Sequence, residues 1–132
     1  MDYYIYKASD VVSFLPSIGW CLEFSYVLYL RPDYRYVGHN YTIGDPLSVP
    51  MVPRKTVAEN ARKLESSAII IAHSHPGTVA RPSKEDIAST MFYRRALADY
   101  GIRIIDHIIV AESNWYSMRA HGYFKSHVNR TV

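Results

Sequence analysis

Two histidines one residue apart, His73 and His75, and a carboxylate further along, Asp86, are the side chains here best placed to do chemistry. Residues i and i+2 on extended backbone point to the same side, so both imidazoles can converge on one ion where a strand leaves its sheet. A short polar loop then delivers Asp86 in the first turn of a helix opened by Ser83. Two imidazoles and one carboxylate are sound Zn²⁺ ligands, and three protein ligands leave a fourth position for water. Such a site lowers the pKa of its water toward ~7 and polarises a carbonyl. Structural readings stand beside this one. A bare His-x-His is more often a polar loop than a ligand pair, and Ser83-x-x-Asp86 is by itself a complete capping box. The two readings are compatible, because the cap fixes the helix start that aims Asp86. The single cysteine, Cys21, excludes an internal disulfide framework and every Cys-rich zinc site, so a metal here depends on His and carboxylate.

The elements that must position these residues follow from pattern. Ser9, Asp10, Val11-Val12 and Phe14-Leu15 read as one or two turns of helix behind an Asx/Ser cap, stopped by Pro16. Leu22–Leu30 is aromatic, branched and apolar and reads as a strand; Arg31-Pro32-Asp33 is a turn, and Tyr34–Ile43 is the returning strand. A loop over Gly44–Pro53 precedes a helix over 54–65, with Val57, Ala58, Ala61 and Leu64 at helical spacing. Ala68–Ala72 is wholly apolar, as in a strand buried on both faces. His73–Pro82 reads as loop, Ser83–Tyr100 as helix ended by Gly101, Ile102–Ala111 as strand and Trp115–Arg119 as a last strand. Strands alternating with helices predict a single-domain α/β (α+β) fold, a mixed sheet flanked by helices.

His-Ser-His-Pro, then seven residues from Pro76 to Pro82, then Ser-x-x-Asp resembles the JAMM motif of the JAB/MPN metalloproteases, and the remainder is most similar to their bacterial RadC-like branch. Ala68–Pro76, Arg81–Ile87, Tyr100–Val110 and Tyr116–Gly122 carry the likeness. Two departures stand out: Ser74 where the branch commonly has Asn, and Pro76-Gly77-Thr78 where it has Pro-Ser-Gly. The likeness divides the chain into an N-terminal extension (1–19), a RadC-like JAB/MPN domain (20–124) of cytidine-deaminase-like architecture, and a polar tail (125–132). It implies a Zn²⁺ cofactor held by His73, His75 and Asp86, and an upstream glutamate as general acid/base. Candidates for that glutamate are Glu23, Glu59 and Glu65. Glu59 and Glu65 fall in a charge-rich helix, whereas Glu23 sits between Leu22 and Phe24 in an apolar strand, where an unpaired carboxylate costs several kcal/mol. Glu23 is therefore the expected base, on the strand where the family places it. Ser83 is implied to donate a hydrogen bond to the oxyanion. The helix-hairpin-helix region that precedes the domain in full-length relatives has no counterpart in the 22 residues before Glu23.

Weaker signals surround the site. Asp106 and His107 could orient a ligand, although a strand histidine paired to its own surroundings is the commoner case. His39, His121 and His127 lack partner spacing and read as surface residues. Arg94-Arg95 with Lys125 and Arg130 would suit an acidic partner, but a solvated helix face is the commoner meaning. Tyr3, Tyr4, Tyr6, Tyr34, Tyr36 and Tyr41 would serve as a recognition or dimer surface, and sheet propensity explains most of them equally well.

Composition narrows the functional classes. A net charge of +3 with no basic stripe disfavours nucleic acid as partner without excluding it. No apolar run approaches the ~20 residues of a membrane span, and no targeting segment opens the chain, so a cytoplasmic protein is expected. Zinc nucleobase deaminases need Pro-Cys-x-x-Cys, and His-Glu-x-x-His is absent. The leading expectation is a zinc metallopeptidase acting on a peptide or isopeptide bond of a protein or peptide substrate. Its rivals are a metal-binding but non-hydrolytic JAB interaction module, which predicts zinc without turnover, and a DNA-repair-associated RadC-like factor, which predicts salt-dependent DNA binding. With no insertion after the helix at Ser83, only the Gly44–Pro53 loop is left to grip a substrate.

Overall fold

A computed structural model describes residues 2–15, 23–44, 51–75, 77 and 79–124. The order of elements is α1 (Ala8–Phe14), β1 (Glu23–Leu30), β2 (Tyr36–Gly44), α2 (Arg54–Leu64), β3 (Ala68–Ser74), α3 (Lys84–Ala98), β4 (Arg103–Val110) and β5 (Trp115–Ser117). The five strands form one mixed sheet in the order β2-β1-β3-β4-β5. β1 runs antiparallel to both β2 and β3, β3 and β4 are parallel across α3, and β5 returns antiparallel to β4. The mixed α/β fold expected from the alternation of elements is the one observed.

Period-2 alternation divides the core between the two faces of this sheet. On one face Phe24, Leu28, Ile70, Ala72 and Ile108 pack against Ile5, Val11 and Leu15, so α1 and the strip before it cover that side. On the other, Val27, Tyr29, Ile69 and Ile71 pack under Val57 and Ala61 of α2 and Tyr93 and Leu97 of α3. The register shift after Ile69 sets Ile70 opposite Asp106, which leaves Ile105 as the extra residue on β4. That bulge turns Asp106 toward the α1 face and His107 toward the α2/α3 face.

Element bounds differ from the sequence pattern in ways local chemistry explains. The first helix begins after Lys7, not at Ser9 or Asp10; Asp10 lies inside it and accepts the Tyr6 and Lys7 backbone N–H groups at 2.9 and 3.2 Å. β2 starts at Tyr36 because Tyr34 takes φ +70° and its N–H closes the turn on the Arg31 carbonyl at 2.8 Å. Glu65, left-handed at φ +55°, ends α2 at Leu64. α3 stops at Ala98, and Gly101 at φ +74° completes its exit, with the Ile102 N–H on the Leu97 carbonyl at 3.1 Å. β5 ends at Ser117, since the chain from Met118 closes into turns. The largest change concerns β3. Its pairing runs through His73 and Ser74, opposite Ile109 and Val110, so His73 belongs to the sheet and not to the loop expected there. Cys21, Leu22, positions 45–50 of the expected gripping loop, and the tail with His127 and Arg130 lie outside the described residues.

Candidate metal centre

The site forms where β3 ends, β1 begins and α3 starts. Ser25 pairs with His73 across the antiparallel β1/β3 ladder. Glu23, two residues earlier on β1, therefore faces the same side as His73, and the same register continued sets it across from His75. The Phe24 N–H donates to Ser74 Oγ at 2.8 Å and the His75 N–H to the Val110 carbonyl at 2.8 Å. Both bonds keep the backbone extended beyond the last ladder pair, which is what brings His75 round beside His73. Their rings lie 4.9 Å apart and nearly perpendicular.

Asp86 arrives from α3 in the third helical position. Ser83 is the N-cap: its Oγ accepts the Asp86 N–H at 3.0 Å, while Asp86 Oδ2 accepts the Ser83 N–H at 2.8 Å. That reciprocal capping box is the one the sequence spacing implied. It leaves Asp86 Oδ2 3.0 Å from His75 Nε2 and Oδ1 3.5 Å from His73 Nδ1. One ligand atom from each of His73, His75 and Asp86 falls within 4.8 Å of the others. Glu23 stands at the rim, Oε2 3.9 Å from His73 Nε2, with its side chain 18% exposed. Glu59 is exposed on α2, and Glu65, 80% exposed, pairs with Arg31. Of the three glutamates weighed from sequence, the fold brings only Glu23 to the histidines.

The electrostatics are those of a ligand cluster. Burial pushes the Asp86 carboxyl up, but the His75 hydrogen bond, the Ser83 N–H and the two imidazoles outweigh it and hold it well below the usual carboxylate range. The hydrogen bond to Asp86 raises His75 against its own desolvation. Burial lowers His73, more than the Asp86 charge restores. His73 Nδ1 is buried without a hydrogen-bond partner among the described residues. Two imidazole nitrogen donors, one of them on a ring whose buried Nδ1 makes no hydrogen bond, and an ionised oxygen donor suit a dication with an affinity for N and O ligands.

The second pair named from sequence divides. Asp106, on the α1 face, accepts from Ser117 Oγ at 2.6 Å and from the His107 and Arg119 backbone N–H groups at 2.7 and 2.9 Å. It therefore holds the turn after β5 and does not reach the cluster. The bulge in β4 is the physical reason. His107 lies on the cluster side, completely enclosed, with its ring 6.1 Å from that of His73. Thr90, which sequence reasoning passed over, joins it: Thr90 Oγ1 is 2.6 Å from His107 Nδ1 and 2.6 Å from the Asp86 carbonyl. A threonine four residues after the candidate ligand on the same helix was the available signal.

The remaining features fall elsewhere. His39 and His121 are exposed; His39 lies beside Tyr26, Tyr36 and Tyr41 on the outer sheet, and His121 stacks on Tyr116. The described end of the Gly44–Pro53 loop is tied to α3, where the Tyr93 hydroxyl donates to the Val52 carbonyl. No helix among the described residues is long and apolar enough to cross a membrane.

A family model described as a RadC-like JAB domain matches residues 5–123. A UPF0758 protein of Staphylococcus carnosus is 35% identical over 98 residues, covering 74% of this chain and 43% of that protein. One from Carboxydothermus hydrogenoformans is 36% identical over 98 residues, with the same two coverages. One from Bordetella parapertussis reaches 46% over 71 residues, or 54% of this chain and 31% of its own. The chain thus spans less than half the length of these curated relatives.

Proposed function

The chain belongs to the RadC-like JAB domain family, and from that premise we propose that it is a zinc-dependent hydrolase cleaving a peptide or isopeptide bond in a protein or peptide substrate. The carrying observation is the convergence of His73, His75 and Asp86 within 4.8 Å, with the Glu23 carboxylate 3.9 Å from His73 at the rim. The donor set fits zinc, and His73, His75 and Asp86 would hold it. When bound, zinc would polarise the scissile carbonyl and acidify water. Glu23 accepts the proton of the attacking water and passes it to the leaving nitrogen, and its partly sheltered carboxylate suits both transfers. Ser83 spends its Oγ lone pair on the Asp86 N–H, which leaves its proton to donate to the developing oxyanion. The N-terminus of α3 adds its dipole on the same side. A cytoplasmic location accords with a lone cysteine.

Metal analysis of the purified protein, paired with a proteomic comparison of partners cleaved by the wild type and by Glu23→Gln, tests the reading. The expected result is about one zinc per chain in both proteins, with cleavage by the wild type alone. Glu23→Gln cleaving as well as the wild type would remove Glu23 from the mechanism. Zinc without turnover in either protein would favour a non-hydrolytic interaction module. A wild type that takes up no metal would end the hydrolase reading.

A further inference from the structure

Behind the ligand cluster lies a buried polar chain that the proposed reaction does not use. Thr90 and His107 are both fully enclosed, one on α3 and one on β4. The Thr90 hydroxyl has a single proton and two close polar neighbours: the Asp86 carbonyl at 2.6 Å and His107 Nδ1 at 2.6 Å. A carbonyl oxygen cannot donate, so the hydroxyl proton goes to Asp86, and Thr90 Oγ1 must accept from His107. This fixes the tautomer. His107 carries its proton on Nδ1, and its Nε2 is a bare acceptor, buried with no protein partner among the described residues. The ring then packs toward His73, 6.1 Å away centroid to centroid and tilted by 45°.

Resting on the zinc reading above, we propose that Thr90 and His107 are positioning residues that lock the Asp86 end of α3 to the His73 end of β3. The two ligands reach the site from different elements, and β4 lies beside both: it pairs with β3 and packs against α3. A strut from the Asp86 carbonyl through Thr90 to a histidine packed against His73 ties both ligand-bearing backbones to one rigid point on the neighbouring strand. Ligand sites of this kind bind tightly when the groups behind the ligands fix their direction. A purely packing role would need neither the hydroxyl nor the ring nitrogen, and here each is committed to a specific partner.

Cobalt(II) titration of the zinc-stripped chain reads the strut without any substrate, through the affinity and the visible absorption bands of the bound ion. Thr90→Val and His107→Leu keep the volume and remove the hydrogen bonds; each is expected to weaken cobalt binding ~10-fold or more and to shift the bands. Thr90→Ser and His107→Asn, which retain the hydroxyl and the donor facing it, are expected to restore most of the affinity. Lower melting temperatures with unchanged cobalt affinity and bands in Thr90→Val and His107→Leu would overturn the proposal. Should those two fail to fold, the wild type still decides: nitrogen-detected NMR must show the His107 proton on Nδ1, and a proton on Nε2 overturns the strut. A wild type that binds no cobalt or zinc removes the hydrolase reading and this one together, whereas tight binding indifferent to both substitutions removes this one alone.

Discussion

Asp86 meets His75 with the same carboxylate oxygen that caps its own helix: Oδ2 accepts the Ser83 N–H at 2.8 Å and lies 3.0 Å from His75 Nε2. Aiming the ligand and starting the helix are thus one act, and the two can be separated by substitution. Asp86→Asn keeps an oxygen for the Ser83 N–H but loses the charge that suits a dication and raises His75. Its helix start should survive, with a stability loss smaller than the ~1 kcal/mol of a removed cap. Zinc content should fall from about one per chain to trace, and the His75 pKa should drop toward its ordinary value. Metal analysis, urea unfolding and histidine NMR check the three parts.

Ser83 makes the complementary prediction. Ser83→Ala removes the acceptor of the Asp86 N–H, which should cost ~1 kcal/mol of stability in urea unfolding. It also removes the hydroxyl proton assigned to the oxyanion, so turnover on any cleaved substrate should fall ~100-fold or more. Ser83→Thr retains both groups and should recover most of each effect. A loss of stability with full turnover would leave Ser83 as a cap alone.

Much of this was legible because it is local. The capping box reads directly from Ser83-x-x-Asp86, and the apolar run before His73 announces a strand buried on both faces, which β3 is. Glu23 was legible through its context, an acid inside an apolar strand. What pattern could not supply was non-local. The pairing of His73 with Ser25 and Ile109 carries β3 past its apolar run into the site, and nothing in Ala68–Ala72 foretells where pairing ends. Alternation along the strand sends Asp106 and His107, neighbours that read as a pair in sequence, to opposite faces, and the β4 bulge decides which of them meets the site; a bulge is set by a partner strand more than by its own residues. The spacing of Thr90 from Asp86 is local, but its His107 partner, 17 residues on, follows only from the packing of α3 beside β4.

Ile71 links the sheet to the site through packing alone. It is fully buried between Val27 on β1 and His107 on β4, two residues before His73 on the same face. Ile71→Val should cost ~1 kcal/mol and leave metal affinity near that of the wild type, because one methylene is absorbed by small shifts. Ile71→Ala should cost ~2–5 kcal/mol in unfolding experiments. It should also weaken cobalt binding, since the cavity opens beneath the backbone of His73 and beside the His107 ring. Equal metal affinity in the two variants would show that the ligands are held independently of the packing below them.

Acid should destabilise the zinc-free chain chiefly through its enclosed histidine. Burial, seconded by the neighbouring His73, pushes His107 from 6.5 down to about 3. Below pH 6.5 the unfolded chain takes up this proton and the folded chain refuses it, so folding stability falls as pH drops from 6.5 toward 3. One proton linked in this way contributes about 1.4 kcal/mol per pH unit. His73, also lowered by burial, acts in the same direction. His75 acts in a different window: its raised pKa adds stability that is complete below 6.5 and lost as pH rises through its folded value, so it leaves the decline below 6.5 unchanged. Asp86, held low, keeps its contribution until the pH falls below 3.8 and loses it beneath that. Urea midpoints measured from pH 7 to 4 should therefore decline steeply for the wild type and more gently for His107→Asn, which has no ring to protonate. Parallel declines for the two proteins would mean that His107 takes up its proton as readily in the folded chain as in the unfolded one, against the burial that encloses it.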